Sequence, residues 1–152
     1  MFELLRNHIE KRVHLTDEEF EIIKKYFIPK RLKKSQFLLH ERQVCTHIGF
    51  VGSGCLRQYT IDNKGNEHII QFAIEDWWIS DLHSFLSGSP SKFNIDALQD
   101  SEVLLLGKTA RDKLLDDCPK MERFFRLLME THHVATEERV ADSLSMSAEE
   151  QY

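Results

Sequence analysis

The sequence predicts a mostly β domain of the antiparallel barrel or jelly-roll type, flanked by helices and followed by one long C-terminal helix. Three observations carry this prediction. Between Gln36 and Leu106 the apolar residues fall in short runs separated by turn residues, the pattern of many short strands. On either side of that region the apolar period is helical. Between the runs there is no crossover helix, which excludes a parallel α/β sheet.

In chain order, Phe2, Leu5, Ile9 and Val13 recur at spacings of three and four and predict an amphipathic helix over residues 2–13. A second helix starts at Thr16, with Glu19 completing a capping box and Leu15 stapling onto Phe20. Its inner face is Phe20, Ile23 and Phe27, and Pro29 is expected to end it. The basic run Lys30–Lys34 reads as a solvated loop. The expected strands are Phe37–Leu39, Ile48–Val51, Cys55–Ile61, His68–Ile74, Trp77–Ile79, Phe93–Leu98 and Val103–Leu106. Asp62–Asn66 is a hairpin turn in which Gly65 supplies positive φ. Thr109 is expected to cap a short helix through Leu115, broken at Asp117-Cys118-Pro119. The last helix then starts near Pro119 and carries Met121, Phe124, Phe125, Leu128, Ala135 and Val140 to about Leu144. That stripe exceeds what a small barrel covers, so a parallel helix from a second subunit is the expected partner. Folding back onto its own barrel is the alternative. Ser147-Ala148-Glu149-Glu150 repeats the capping-box pattern close to the end of the sequence, which announces a further helix and reads as a fragment of a longer protein; a frayed tail is the alternative.

The totals narrow the function classes. A chain of 152 residues suits one domain with an appended helix. Its 41% apolar content and ten Phe fill a sizeable core. With 25 acidic against 20 basic side chains the formal charge is −5, unlike the basic balance of a nucleic-acid binder. No apolar run approaches a membrane span, and the charged N-terminus MFELLRNHIEKRV is not a secretion signal. Cys45, Cys55 and Cys118 are scattered and odd in number, which points to a reducing cytoplasm.

The stretch Glu75–Leu98 organises the rest. It reads as a strand end, a polar turn, a short helix, a Gly/Ser/Pro loop and a returning strand. Backbone N–H groups at the start of such a helix can hold an anion. The residues leave three readings open: a phosphate pocket, a packed corner with polar turns, or a site for a different anion or a small apolar molecule held by Trp77, Trp78, His83, Ser84 and Lys92.

Several segments resemble the sensor half of the Crp/Fnr family of bacterial transcription regulators. Phe50-Val51-Gly52-Ser53-Gly54-Cys55-Leu56-Arg57 is similar to the family's strand–turn–strand, and Asn63-Lys64-Gly65-Asn66-Glu67 to its hairpin. Glu75-Asp76 stands where the family has Gly-Asp-Phe, Ala97–Val103 resembles the strand leaving the nucleotide pocket, and Asp117-Cys118-Pro119 precedes the pairing helix. The resemblance implies a cyclic-nucleotide-binding-like sensor domain with N-terminal helices over residues 1–118, a dimerisation helix over 119–145 and the start of a DNA-binding domain over 146–152. It implies a homodimer through Met121, Phe124, Phe125, Leu128 and Ala135, a small-molecule effector, and DNA contact only through a helix-turn-helix that this chain does not contain.

In the family a Phe-x-Gly-Glu-Leu cassette, a short helix and then Arg-Ser or Arg-Thr hold a cyclic nucleotide. Gly admits the phosphate, Glu accepts the ribose hydroxyl and Arg neutralises the charge. Here Ser80 stands at the Gly, Asp81 at the Glu, Leu82 at the Leu, Ser91 at the Arg and Lys92 at the Ser/Thr; a shift of one residue puts Lys92 at the Arg. Asp81 reaches one methylene less far, and losing the Arg removes a bond of about 1.5–3 kcal/mol, roughly one to two decades in affinity. The expected effector pocket is therefore Trp78, Ser80, Asp81, Leu82, His83, Ser84, Ser91 and Lys92, without tight cyclic-AMP binding.

A metal site has no support in the spacing. His132 and His133 point about 100° apart on one helix, and His40, His47 and Cys45 show no ligand pattern. No catalytic motif is present, so no catalytic residue is assigned. The rival readings are a cupin-like metal-dependent enzyme, for which His68 with Glu67 is the nearest pair, and a ligand-free dimerisation module.

Overall fold

The computed structural model describes residues 1–131. Two four-stranded antiparallel sheets face each other. One runs β1 (Ile28–Leu32), β8 (Ser101–Gly107), β3 (His47–Ser53), β6 (Trp78–Ile79); the other runs β2 (Phe37–Leu39), β7 (Asn94–Ala97), β4 (Cys55–Ile61), β5 (Glu67–Ile74). The expected β-rich domain with flanking helices is the observed one. Two turns show why these strands meet as they do. Gly65 has φ of 83°, and Asp62 Oδ1 accepts the N–H groups of Lys64 and Asn66 at 2.9 Å, closing the β4–β5 hairpin. Gly54 turns β3 into β4 at φ of 92°, where a Cβ would overlap the Ser101 side chain and the Asp100 carbonyl.

The helices are α1 (Phe2–Glu10), α2 (Asp17–Lys24), α3 (Leu82–Ser87), α4 (Lys108–Asp117) and α5 (residues 120–131, where the described residues end). The capping box of α2 forms as expected: Thr16 Oγ1 accepts Glu19 N–H at 3.2 Å, and Glu19 Oε1 accepts Thr16 N–H at 2.9 Å. Lys120 Nζ also reaches Glu19 Oε1 at 2.8 Å, tying α5 to α2. These bonds hold the Glu19 carboxyl down at about 2.

Three local expectations are corrected. Pro29 does not end α2, which stops at Lys24; Pro29 lies inside β1. The residue before a proline avoids the helical region, so Ile28 is already extended, and β1 is an edge strand where a missing N–H is tolerated. For the same reason Lys30 and Arg31 of the basic run are strand residues rather than loop. Thr109 is not the cap of α4. Gly107 is, without a side-chain bond, because β8 runs straight into the helix.

The outer face of the first sheet is covered by helices. Trp78 of β6 and Phe50 of β3 have ring centroids 5.1 Å apart, and Phe124 and Phe125 of α5 lie 6.2 and 6.0 Å from Trp78. His8 of α1 is buried among them, 5.2 Å from Phe50 and 5.9 Å from Phe124. Trp78 Nε1–H donates to His8 Nε2 at 2.8 Å, and His8 Nδ1–H donates to Asp76 Oδ1 at 3.1 Å.

α5 thus packs on its own chain over its first two turns: Met121, Phe124 and Phe125 are buried in the core, Leu128 is half-buried and Met129 exposed. Of the stripe read as a pairing surface, the first three members are covered within the subunit. Ala135, and the second capping box at Ser147–Glu150, lie outside the described residues.

Candidate functional site

The corner Glu75–Leu98 folds as β6, α3 and β7. α3 is capped by Asp81, whose Oδ1 accepts Ser84 N–H at 3.2 Å. Gly88 ends the helix at φ of 78°. The other oxygen of Asp81 accepts the Ser91 hydroxyl at 2.6 Å, so the carboxylate links the start of α3 to the start of the returning strand. Ser84 Oγ donates to Ser89 O at 2.6 Å and accepts Cys45 N–H at 2.8 Å. The loop before β3 lies along the returning segment. Ser91 N–H donates to Gln43 O and Arg42 N–H donates to Ser91 O, both at 2.7 Å. Asp81, Ser84 and Ser91 are all buried.

The electrostatic consequence is direct. An anion seated on the N–H groups that open α3 would meet a buried carboxylate already hydrogen-bonded to one of them. Among the described residues, every buried side-chain nitrogen and oxygen has a hydrogen-bond partner. The corner is self-satisfied.

Of the residues expected in the pocket, the structure brings together Asp81, Ser84 and Ser91, with Ser80 Oγ 3.6 Å from Cys45 Sγ. Leu82 is half-buried, while His83 and Lys92 are exposed at the rim. Trp78 does not face the corner. Successive strand residues alternate faces, so Ile79 points between the sheets and Trp78 points outward into the helices, paired with Phe50. Trp77 is half exposed. No group of His, Cys, Asp and Glu that could hold a metal ion is found among the described residues, and no described helix is long and apolar enough to cross a membrane.

One polar cluster was missed by the sequence reading. Arg57 of β4 grips Asp96 of β7 with two bonds, Nε to Oδ1 at 2.8 Å and Nη2 to Oδ2 at 3.2 Å, and reaches Glu67 at 2.6 Å. Its guanidinium lies 4.0 Å from the centre of the Tyr59 ring. These carboxylates hold the Arg57 pKa above its ordinary value, and burial, followed by Asp96, raises that of Tyr59. The only sequence signal was positional: Arg57 and Asp96 each sit in a strand of alternating character, but their strand partnership is long-range.

Between the sheets lies a cavity of about 270 Å3, walled by Leu38, Leu39, Ile79, Ile95 and Leu105 and rimmed by Lys30, Gln43, Thr46 and His47. None of Ser80, Asp81, Ser91 or Lys92 lines it. Burial, then the nearby Lys30 charge, lowers the His47 pKa.

The fold is shared with solved structures. A cyclic nucleotide-binding domain from Methylobacillus flagellatus superposes with a TM-score of 0.79 at 16% identity, over 93% of this chain and 83% of that one. The Thermus thermophilus catabolite activator protein gives 0.72 at 18% identity, over 86% of this chain and 61% of its own length. The sensor domain of the transcriptional regulator DNR from Pseudomonas aeruginosa gives 0.69 at 17%, over 90% and 91%. This chain thus spans only 61% of the Thermus activator. No curated protein sequence matches it significantly. The model of the cyclic nucleotide-binding domain matches residues 29–118, more than half of the 152 residues, and this chain belongs to that family.

Proposed function

We propose that the chain is the effector-sensing and dimerisation half of a Crp/Fnr-like transcription regulator, and that it does not hold cyclic AMP tightly. The observation that carries the second clause is the state of Asp81. Where the family's cyclic-nucleotide binders place a Glu for the ribose and an Arg for the phosphate, this chain has Asp81 and Ser91 bonded to each other at 2.6 Å. A cyclic phosphate entering there would have to break that bond, lie beside a buried carboxylate and do without a guanidinium.

Support for the regulator reading comes from the family and from the fold's occurrence in the sensor domain of DNR and in a catabolite activator. Pairing is supported by apolar surface left uncovered. Ile70, Phe72 and Ile74 on the edge strand β5 are 48%, 50% and 49% exposed, and Leu128 and Met129 continue the α5 stripe beyond the residues already buried. Exposed apolar strips of this kind are what a second copy covers. DNA contact in this reading belongs to a helix-turn-helix following the pairing helix.

Isothermal titration of the chain with cyclic AMP and with cyclic GMP tests the ligand clause. No saturable heat is expected up to about 100 μM; a dissociation constant below about 10 μM, near 7 kcal/mol of binding, overturns it. Sedimentation at tens of micromolar tests pairing: a dimer is expected, and a monomer refutes it.

A further inference from the structure

We propose that the cavity between the sheets, rather than the cassette corner, is a ligand site, and that it takes a medium-chain aliphatic carboxylate. This deepens the effector-sensing reading and, as the sensed input, rests on it; the binding itself does not.

The walls point to an alkyl chain. Leu38, Leu39, Ile79, Ile95 and Leu105 present only hydrocarbon. A volume of about 270 Å3 is near the lower end of ligand pockets. A cavity of about 150 Å3 holds benzene, so this one suits a chain of roughly six to eight carbons. It is too small for a nucleotide lying fully inside.

The rim selects the head group. Among the described residues, Lys30 and His47 are the lining residues that carry or can gain positive charge, and no Asp or Glu lines the cavity. An anion at the rim would pair with the Lys30 ammonium, whereas an amine would meet a like charge there. Gln43 adds hydrogen-bonding capacity, while the Thr46 hydroxyl is already paired with His47 Nδ1 at 2.8 Å. The Gln43 side-chain oxygen already accepts His40 N–H at 3.1 Å, which leaves its NH2 as the donor. A carboxylate satisfies these groups; an alcohol answers them without charge.

The cavity is also wired to the corner. Cys45 lines it, takes Ser84 Oγ through its N–H and places its Sγ 3.6 Å from Ser80 Oγ. Ile79 of the wall directly precedes Ser80. A ligand that spreads the wall at Ile79 and Cys45 therefore displaces the residues holding α3, although it touches none of Asp81, Ser91 or Lys92.

The probe is sodium octanoate, titrated into the full chain by calorimetry and followed by methyl NMR shifts. One-to-one binding is expected, with shifts at Leu39, Ile79, Ile95 and Leu105. Octylamine and octanol should each bind at least about tenfold more weakly, the scale of one charge-assisted hydrogen bond. Lys30→Met, on an exposed edge position, should weaken octanoate by about tenfold. Val44→Trp, on the exposed rim loop, should abolish binding, with an unchanged melting temperature showing that the fold is intact. The proposal is overturned if octanoate fails to bind the wild-type chain. It is overturned equally if octylamine matches octanoate, or if Val44→Trp binds as wild type does, since the fatty acid would then sit on the exposed β5 strip. Failure of the sensor reading would appear instead as tight cyclic-nucleotide binding or a monomer, outcomes that octanoate does not decide.

Discussion

Replacing Asp81 by alanine separates a structural carboxylate from a ligand-binding one. The side chain is 6% exposed and makes two bonds, to Ser84 N–H and to the Ser91 hydroxyl. Losing a helix N-cap costs about 1 kcal/mol. Stranding a buried hydroxyl costs a further 1–3 kcal/mol or so, nearer the lower end here because Ser91 Oγ also lies 3.4 Å from Phe93 O. The sum is about 2–3 kcal/mol, a large share of a domain's roughly 5–15 kcal/mol, and it corresponds to a fall in melting temperature of about 4–12 °C. Urea unfolding followed by tryptophan fluorescence reads it, since Trp78 is half-buried and packs against the core. The double variant Asp81→Ala/Ser91→Ala should cost less than the sum of the two single changes, because the Ser91 hydroxyl is no longer there to be stranded. A loss below about 0.5 kcal/mol, the range of ordinary surface changes, would refute the reasoning. The carboxylate would then be a solvated group waiting for a ligand, and the case against a cyclic phosphate would lose its main support.

Two further outcomes follow from the polar clusters. Arg57→Met leaves Asp96 buried without its partner and should cost about 3 kcal/mol, whereas Arg57→Met/Asp96→Leu should recover most of that; equal losses in single and double variants would show that the pair is not a unit. Burial lowers the His8 pKa below its ordinary 6.5, against the opposing pull of Asp76 and with help from Arg12 and Lys11. The unfolded chain therefore binds the extra proton first, so stability is full above pH about 6.5 and falls as the pH drops below it. His47, lowered for a similar reason, adds its own share. The melting temperature of wild type should decline between pH 7 and 5 more steeply than that of His8→Gln, and parallel slopes would sink the argument.

Much of the fold was legible because the patterns are local. The capping box at Thr16 and Glu19, the Asp62–Asn66 hairpin and the strand Cys55–Ile61 each involve neighbours in sequence, and each appears as expected. The errors are local too: Pro29 ended no helix because its φ suits an edge strand, and Thr109 yielded the cap to Gly107 because β8 set the helix start.

The sequence by itself determined the class of fold, the family outline and the departures at Ser80, Asp81 and Ser91 from a cyclic-phosphate cassette. Only the tertiary structure decided what those departures do. Asp81 and Ser91 are ten residues apart, and nothing in their spacing says that they bond to each other. Trp78 looked like a pocket residue until β6 took its place beside Phe50 and the two-residue alternation of the strand turned its ring toward His8 and Phe124. Met121, Phe124 and Phe125 looked unpartnered because a helical stripe records that it needs a cover but not which surface supplies it. The cavity behind Lys30 and His47 is lined from six separate segments, and enclosed volume is a property of their packing, which no one-dimensional pattern encodes.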